Sequence, residues 1–262
     1  MDISKLFDVT GKVALVTGGG SGIGTMATEA LVRAGCKVYI ASRRLASCEA
    51  VAAELNAIGP GQVIALQADL MTPTGTDTLA AALKEHEDHL NILVNNSGMA
   101  WGAPFEEFPR QKWDEVLTLN VTAMADLTRL LLPLLKKAGS AEDPARVINL
   151  GSIAGTRPLT NMAYSYGASK AAIHHLTRML AAELGNDHIT VNAIAPGPFP
   201  SRMMAHVTEN ETRRQAMEAY IPLHRLGQPE DIAGILLMLT SRAGSYITGG
   251  IIPVDGGMSA TP

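Results

Sequence analysis

Two cysteines, Cys36 and Cys48, are all that 262 residues contain, too few for a disulfide framework. A reducing cytoplasm is the location this scarcity implies. Lysines and arginines nowhere form a block, and the net charge of −4 is spread along the chain. Nucleic acid and anionic membrane are therefore not expected as partners. Long apolar runs are missing too. The richest, near Leu130–Leu135 and Ile232–Leu239, are too short or too interrupted to cross a bilayer. Met1–Lys5 lead straight into a strand and hold no apolar signal core. His86 and His89 lie three apart and His174 adjoins His175, but neither set has a third ligand at metal spacing. No metal site is expected. Nor is there a Pro/Ser-rich linker, a composition shift or an internal repeat, so residues 1–262 read as one domain.

What the chain does have is 47% apolar residues against 18% charged, enough to bury a large core. Short β-branched runs alternate with longer helical patterns. Strands are expected at Lys12–Val16, Lys37–Ala41, Val63–Gln67, Ile92–Asn95, Arg146–Leu150, Thr190–Ala195 and Gly250–Val254. Helices are expected at Ile23–Ala34, Leu45–Ile58, Gly75–His89, Gln111–Lys137, Tyr166–Leu184 and Pro229–Leu239. Such alternation means right-handed βαβ units. The fold class is α/β: a single doubly wound Rossmann-type domain, with a seven-stranded, mostly parallel sheet and helices on both faces. Ligands then bind at the carboxyl ends of the strands. The stretch 196–227 breaks the alternation after the sixth strand, as a substrate lid would.

After the first strand comes Thr17-Gly18-Gly19-Gly20-Ser21-Gly22-Ile23-Gly24. Its glycines are spaced G-x-x-x-G-x-G rather than G-x-G-x-x-G. The physics is shared, because a turn without Cβ atoms lets backbone N–H groups and a helix N-terminus approach a pyrophosphate. An ordinary glycine-rich turn is the competing reading. The second strand ends at Ser42-Arg43-Arg44, with no acid to bond a ribose 2′-hydroxyl. Ser42, Arg43 and Arg44 suit a 2′-phosphate, which favours NADP(H) over NAD(H); alternatively the arginines are solvated helix-start residues. Asp69, followed by Leu70, is placed either to accept from an adenine amino group or to shape a turn.

Tyr166 and Lys170 stand four residues apart at the start of a helical run, on one face. A phenol beside a fixed ammonium is expected to be the more acidic for it. A charge at roughly 4 Å in an effective dielectric near 20 is worth on the order of 4 kcal/mol. With a nucleotide bound, this donor points to hydride transfer at a carbonyl carbon, Tyr166 acting as general acid or base. Tyr164 falls on another helical face.

Taken in order, these elements resemble the short-chain dehydrogenase/reductase family over essentially the whole chain. They are the Thr17–Gly24 turn, Asp69, Asn95-Asn96-Ser97-Gly98, Asn120, Ser152, Tyr166 with Lys170, and Pro196-Gly197. The resemblance implies catalysis by Asn120, Ser152, Tyr166 and Lys170. It implies cofactor contacts from Thr17, Gly18, Gly20, Ser21, Gly22, Ile23, Gly24, Ser42, Arg43, Arg44, Asp69, Leu70, Asn96, Ser97, Gly98, Tyr166, Lys170, Pro196, Gly197 and Ser201. Lys170 would bond the nicotinamide ribose, Ser152 the carbonyl oxygen, and Asn120 a water. Taken without the family, Ser152 reads equally as a cap and Asn120 as a satisfied helix residue.

Three departures stand out. Ser97 replaces the family's usual alanine, Ser21 the basic residue common in NADP users, and Ser201 the usual threonine. The implied activity is reduction of a ketone, including a β-ketoacyl thioester, with a small-molecule ketone or alcohol as the only partner besides copies of the chain. A homotetramer is implied, a dimer being the alternative. An NAD-linked dehydrogenase of a sugar acid or other secondary alcohol is the competing activity, and a non-catalytic nucleotide-binding scaffold a third reading. The twelve methionines read as core filler, with the alternative that Met203 and Met204, with Phe199, line an apolar substrate cavity.

Overall fold

The computed structural model describes residues 2–158 and 162–260. Seven strands form one parallel sheet: β1 Val13–Thr17, β2 Lys37–Ser42, β3 Gln62–Gln67, β4 Ile92–Asn95, β5 Ala145–Leu150, β6 Ile189–Pro196 and β7 Ile251–Val254. Their spatial order is β3-β2-β1-β4-β5-β6-β7. Order reverses between β1 and β4, so the carboxyl ends of these two strands open the crevice where a doubly wound sheet takes its ligand. Every pairing is parallel, from Val13 opposite Lys37 on one side to Pro196 opposite Val254 on the other.

The helices are α1 Ile23–Arg33, α2 Leu45–Asn56, α3 Pro73–His86, α4 Arg110–Leu117, α5 Ala123–Ala138, α6 Tyr164–Leu184, α7 Ala205–Thr208, α8 Glu211–Tyr220 and α9 Pro229–Thr240. The period of two along each strand sends alternate residues to opposite faces. Ala14 and Val16 of β1 meet Leu31 of α1 and Leu236 of α9 in one core. Val13 and Leu15 meet Leu83 of α3 and Leu131 of α5 in the other. Because both faces are covered, β1, β4, β5 and β6 are buried throughout.

Local chemistry fixes the ends. Thr72 caps α3 by accepting from the Gly75 N–H at 3.1 Å, with Pro73 at the first helical position. Asp231 closes the α9 start by accepting from the Gln228 N–H at 2.8 Å, and Arg225 pairs with it at 2.6 Å.

The expected helix over 111–137 is broken. Thr118–Thr122 form a π turn between α4 and α5. The extra residue turns Asn120 inward, where its amide oxygen accepts from Met99 N–H at 2.9 Å and its Nδ2 donates to Met99 O at 3.0 Å. A loop 21 residues away thus sets the helix geometry. Helix α6 also begins two residues earlier than expected, at Tyr164, whose ring sits edge-on to Phe105 and Phe108.

Candidate active site

The glycine-rich turn leaves β1 and opens into α1. Gly18 and Gly22 have φ of 67° and 57°, where glycine is favoured. Gly22 occupies the N-cap position of α1, and no side chain caps that end. An 11-residue helix therefore presents its positive end bare of side-chain acceptors, next to a turn without Cβ atoms. A Cβ on Gly24 would overlap the Gly18 carbonyl oxygen and lie 2.6 Å from Asn96 Nδ2. This cradle fits a dinucleotide pyrophosphate.

The turn after β4 is tied to it. Thr17 Oγ1 accepts from the N–H groups of Asn96 and Ser97, each at 3.0 Å, and Asn96 Nδ2 donates to Thr17 O at 2.9 Å. Thr17 and Asn96 thus build the cradle's frame. Ser201 reaches it from the far side: a Cβ on Gly22 would lie 3.1 Å from the Ser201 Cβ. Pro196 ends β6, and Gly197 N–H donates to Val254 O at 3.0 Å.

At the end of β2, Arg43 and Arg44 are exposed, and among the described residues no carboxylate pairs with either. Ser42 Oγ donates to Arg44 O at 3.0 Å and receives Cys48 Sγ at 3.2 Å. Arg43 and Asp69 line one open depression of about 440 Å³ with Gln67, Ala68, Thr74, Gly75 and Thr78. Asp69 also shapes its turn, accepting from Met71 N–H at 3.1 Å. Leu70 is buried and turned into the core, so only its backbone is left to face a ligand.

Tyr166, Ser152, Lys170 and Asn120 come together beyond β4 and β5. Ser152 does cap the short turn after β5, accepting from Ala154 N–H at 3.1 Å. Its hydroxyl is also near enough to the Tyr166 phenol to favour the ionised form. Asn120 Nδ2 donates to Ser169 Oγ at 2.9 Å, and Ser169 donates to Tyr166 O at 2.7 Å. A Cβ on Gly98 would lie 3.2 Å from Asn120 Oδ1 and 3.8 Å from Lys170 Nζ, so its bare Cα leaves the loop close to both. Ser169, which no local pattern marks, completes the cluster.

One electrostatic expectation is corrected. Burial raises the Tyr166 phenol above its ordinary value, and the Ser152 hydrogen bond only partly opposes that rise. The Lys170 ammonium lies 5.5 Å from the phenol ring centroid and spends a donor on Leu150 O at 2.6 Å. Burial pushes Lys170 itself down to about 8. Desolvation thus outweighs the expected acidification of the phenol by the lysine.

Of the residues expected to wall an apolar cavity, only Phe199 lines one. Phe199 is buried against Gly227, where a Cβ would overlap its ring. It faces a separate cavity of about 310 Å³ beside Ile221, Leu223 and Asp255. Met203 is exposed and Met204 half-buried. Cys36 and Cys48 are free, buried and raised in pKa by burial, Cys36 to about 12, so both thiols are inert. Among the described residues no group of histidine, cysteine or carboxylate side chains is arranged to hold a metal. None of their helices is long and apolar enough to cross a membrane.

A parallel doubly wound sheet with a glycine cradle at its crevice and a Ser–Tyr–Lys cluster beside it defines a nucleotide-linked oxidoreductase site. Comparison with known proteins agrees. A family described as Enoyl-(acyl carrier protein) reductase matches residues 18–259. The rhamnolipids biosynthesis 3-oxoacyl-(acyl-carrier-protein) reductase of Pseudomonas aeruginosa is 48% identical over 251 residues, covering 96% of this chain and 97% of that one. The L-tagatose-forming galactitol 2-dehydrogenase of Cereibacter sphaeroides is 36% identical, covering 98% of each. The solved RhlG/NADP active-site complex of Pseudomonas aeruginosa superposes with a TM-score of 0.93 at 47% identity, covering 97% of this chain and 99% of that one. The chain belongs to the short-chain dehydrogenase/reductase family, and is an oxidoreductase acting between CH–OH and C=O.

Proposed function

We propose that this protein is an NADPH-dependent reductase that converts a ketone, in particular a β-ketoacyl thioester, to a secondary alcohol. The observation that carries this reading is the gathering of Ser152, Tyr166 and Lys170 at the end of β5, with the Lys170 ammonium 5.5 Å from the ring centroid of a phenol that burial raises above its ordinary value. A phenol held neutral is prepared to give a proton, which is the task ketone reduction sets. The 3-oxoacyl substrate is supported by the 48% identical relative.

The cofactor would lie in the Gly18–Gly24 cradle, with Arg43 and Arg44 toward a 2′-phosphate and Asp69 toward adenine. Contacts from Thr17, Gly20, Ser21, Ile23, Ser42, Leu70, Asn96, Ser97, Gly98, Tyr166, Pro196, Gly197 and Ser201 complete the set. Bound NADPH supplies hydride to the carbonyl carbon. Ser152 donates to the carbonyl oxygen, where negative charge grows, and Tyr166 delivers the proton there. Lys170 holds a positive charge beside the phenol as it ionises and would bond the nicotinamide ribose. Asn120 keeps the π turn closed on Met99 and supports Ser169 under Tyr166.

Residues 196–227 form one excursion from the domain, and Gly227 N–H donates to Pro198 O at 3.0 Å, bringing its ends together. This supports a lid over the substrate. Strand β7 is the sheet's half-exposed edge, which supports a homotetramer; its mass in solution tests that.

Tyr166→Phe tests the reading. Turnover of a β-ketoacyl thioester should fall by about 10²–10⁴ with NADPH binding retained. Near-normal turnover removes Tyr166 as the acid. Titrating NADPH and NADH by fluorescence separates this reading from an NAD-linked sugar dehydrogenase, for which NADH would bind at least as tightly.

A further inference from the structure

Helix α6 is joined to the end of β5 by a series of polar contacts, one turn after another. Thr177 Oγ1 receives Asn149 Nδ2 at 3.0 Å, and Lys170 Nζ donates to Leu150 O at 2.6 Å. Between them, one turn beyond Lys170, His174 places Nε2 3.5 Å from the backbone N–H of Ser152. His174 is only 5% exposed, so solvent offers that N–H little in exchange. The approach depends on Gly151. A Cβ there would overlap Nε2 and lie 2.8 Å from Cδ2 of the ring. Gly151 is itself pinned, its N–H donating to Ile194 O at 2.8 Å across to β6. The imidazole therefore sits hard against the two residues that leave β5, and the second of them, Ser152, carries the hydroxyl that faces Tyr166.

We infer that His174 is a positioning residue, whose Nε2 holds the Ser152 backbone so that the serine hydroxyl meets the phenol of Tyr166 and the substrate oxygen. The inference rests on the role given to Ser152 above. For Nε2 to accept, the ring must be neutral with its proton on Nδ1. Burial, then Lys170, then Arg178 push the imidazole down to about 4, so it is neutral throughout the working range. Such a residue touches neither substrate nor cofactor. It acts through Ser152, and a shift of about 1 Å in a positioned group can cost on the order of a hundredfold in rate.

A double-mutant cycle tests this. His174→Leu removes the acceptor and should lower kcat for the β-ketoacyl thioester by roughly ten- to a hundredfold, with NADPH affinity unchanged. His174→Gln, whose amide oxygen reaches the same place, should restore kcat to within about threefold of wild type. In a Ser152→Ala background the leucine substitution should slow turnover no further. The inference is overturned if His174→Leu keeps full kcat, if glutamine does no better than leucine, or if the full loss persists in Ser152→Ala. The last result would mean general loosening rather than action through Ser152. Should His174→Leu lack a cooperative melt, His174→Asn, whose shorter amide does not reach Ser152, takes its place in the cycle. Full activity in Ser152→Ala alone would overturn the role of Ser152, and the inference with it.

Discussion

The buried ammonium of Lys170 should leave a measurable mark on stability. Its folded value of about 8 lies below an ordinary lysine value of 10.5. Between these values the unfolded chain binds more protons than the folded one, so stability rises with pH there. Every tenfold loss of proton affinity corresponds to about 1.36 kcal/mol, so holding the charged amine buried at pH 7 costs about 3 kcal/mol. Integrating over titration, about 2 kcal/mol of that cost disappears between pH 8 and pH 10. Other groups act in the same range with opposite sign. Cys36, raised from 9.0 to about 12, loses stability as pH rises above 9, and the raised Tyr166 phenol does so above its unfolded value. The comparison must therefore be between two proteins that share those groups. Urea unfolding of wild type and Lys170→Met at pH 7, 8, 9 and 10 provides it. The wild type should gain about 2 kcal/mol on the variant from pH 8 to 10. Parallel stability curves over that interval would refute a depressed, buried lysine.

Other consequences follow from the same geometry. Arg43→Asp places an acid at the end of β2 and removes a cation from the depression shared with Asp69, so the ratio of NADPH to NADH affinity should fall by about tenfold or more; an unchanged ratio in fluorescence titration means Arg43 does not read the 2′-phosphate. Gly24→Ala drives a methyl into the Gly18 carbonyl, a backbone atom held by the turn, and should cost about 1–3 kcal/mol in thermal stability while weakening dinucleotide binding; an unaltered melt and affinity would show the turn to be pliable. The kcat for ketone reduction should decline as pH rises past about 8, because Lys170 then loses the charge that supports the ionising phenol. A flat pH–rate profile to pH 9.5 would separate Lys170 from the proton step.

Much of this was legible in residue order alone. Ile92–Asn95 falls where alternation put it, and the other strands differ from expectation by one residue or so at an end, because edge hydrogen bonds such as Gly18 N–H to Ala41 O are set by the neighbouring strand. The glycine turn and the Tyr166–Lys170 spacing were readable because both are local: one depends on missing Cβ atoms, the other on helical period. What stayed hidden is non-local. The π turn at Thr118–Thr122 answers to Met99. Phe199 is claimed by Gly227, far along the chain, so an apolar residue in the lid proved to be core. His174 read as a helix residue without a metal, since its partner at Ser152 is brought near only by tertiary packing. Ionisation was the furthest from view, because burial cannot be counted from sequence, and it reversed the direction expected for Tyr166.

That reversal bears on how the proton is replaced after each turnover. A single buried environment acts oppositely on an acid that ionises to an anion and on a base that protonates to a cation. It lifts the phenol and lowers the ammonium, so Lys170, at about 8, becomes the stronger acid of the two. In reduction, Tyr166 gives its proton to the new alkoxide and is left as a phenolate beside Lys170. A proton offered from the lysine side then moves downhill to the phenolate and restores the starting phenol. The ordering of the two groups originates in how completely α6 and the end of β5 enclose the pair rather than in the identity of either residue.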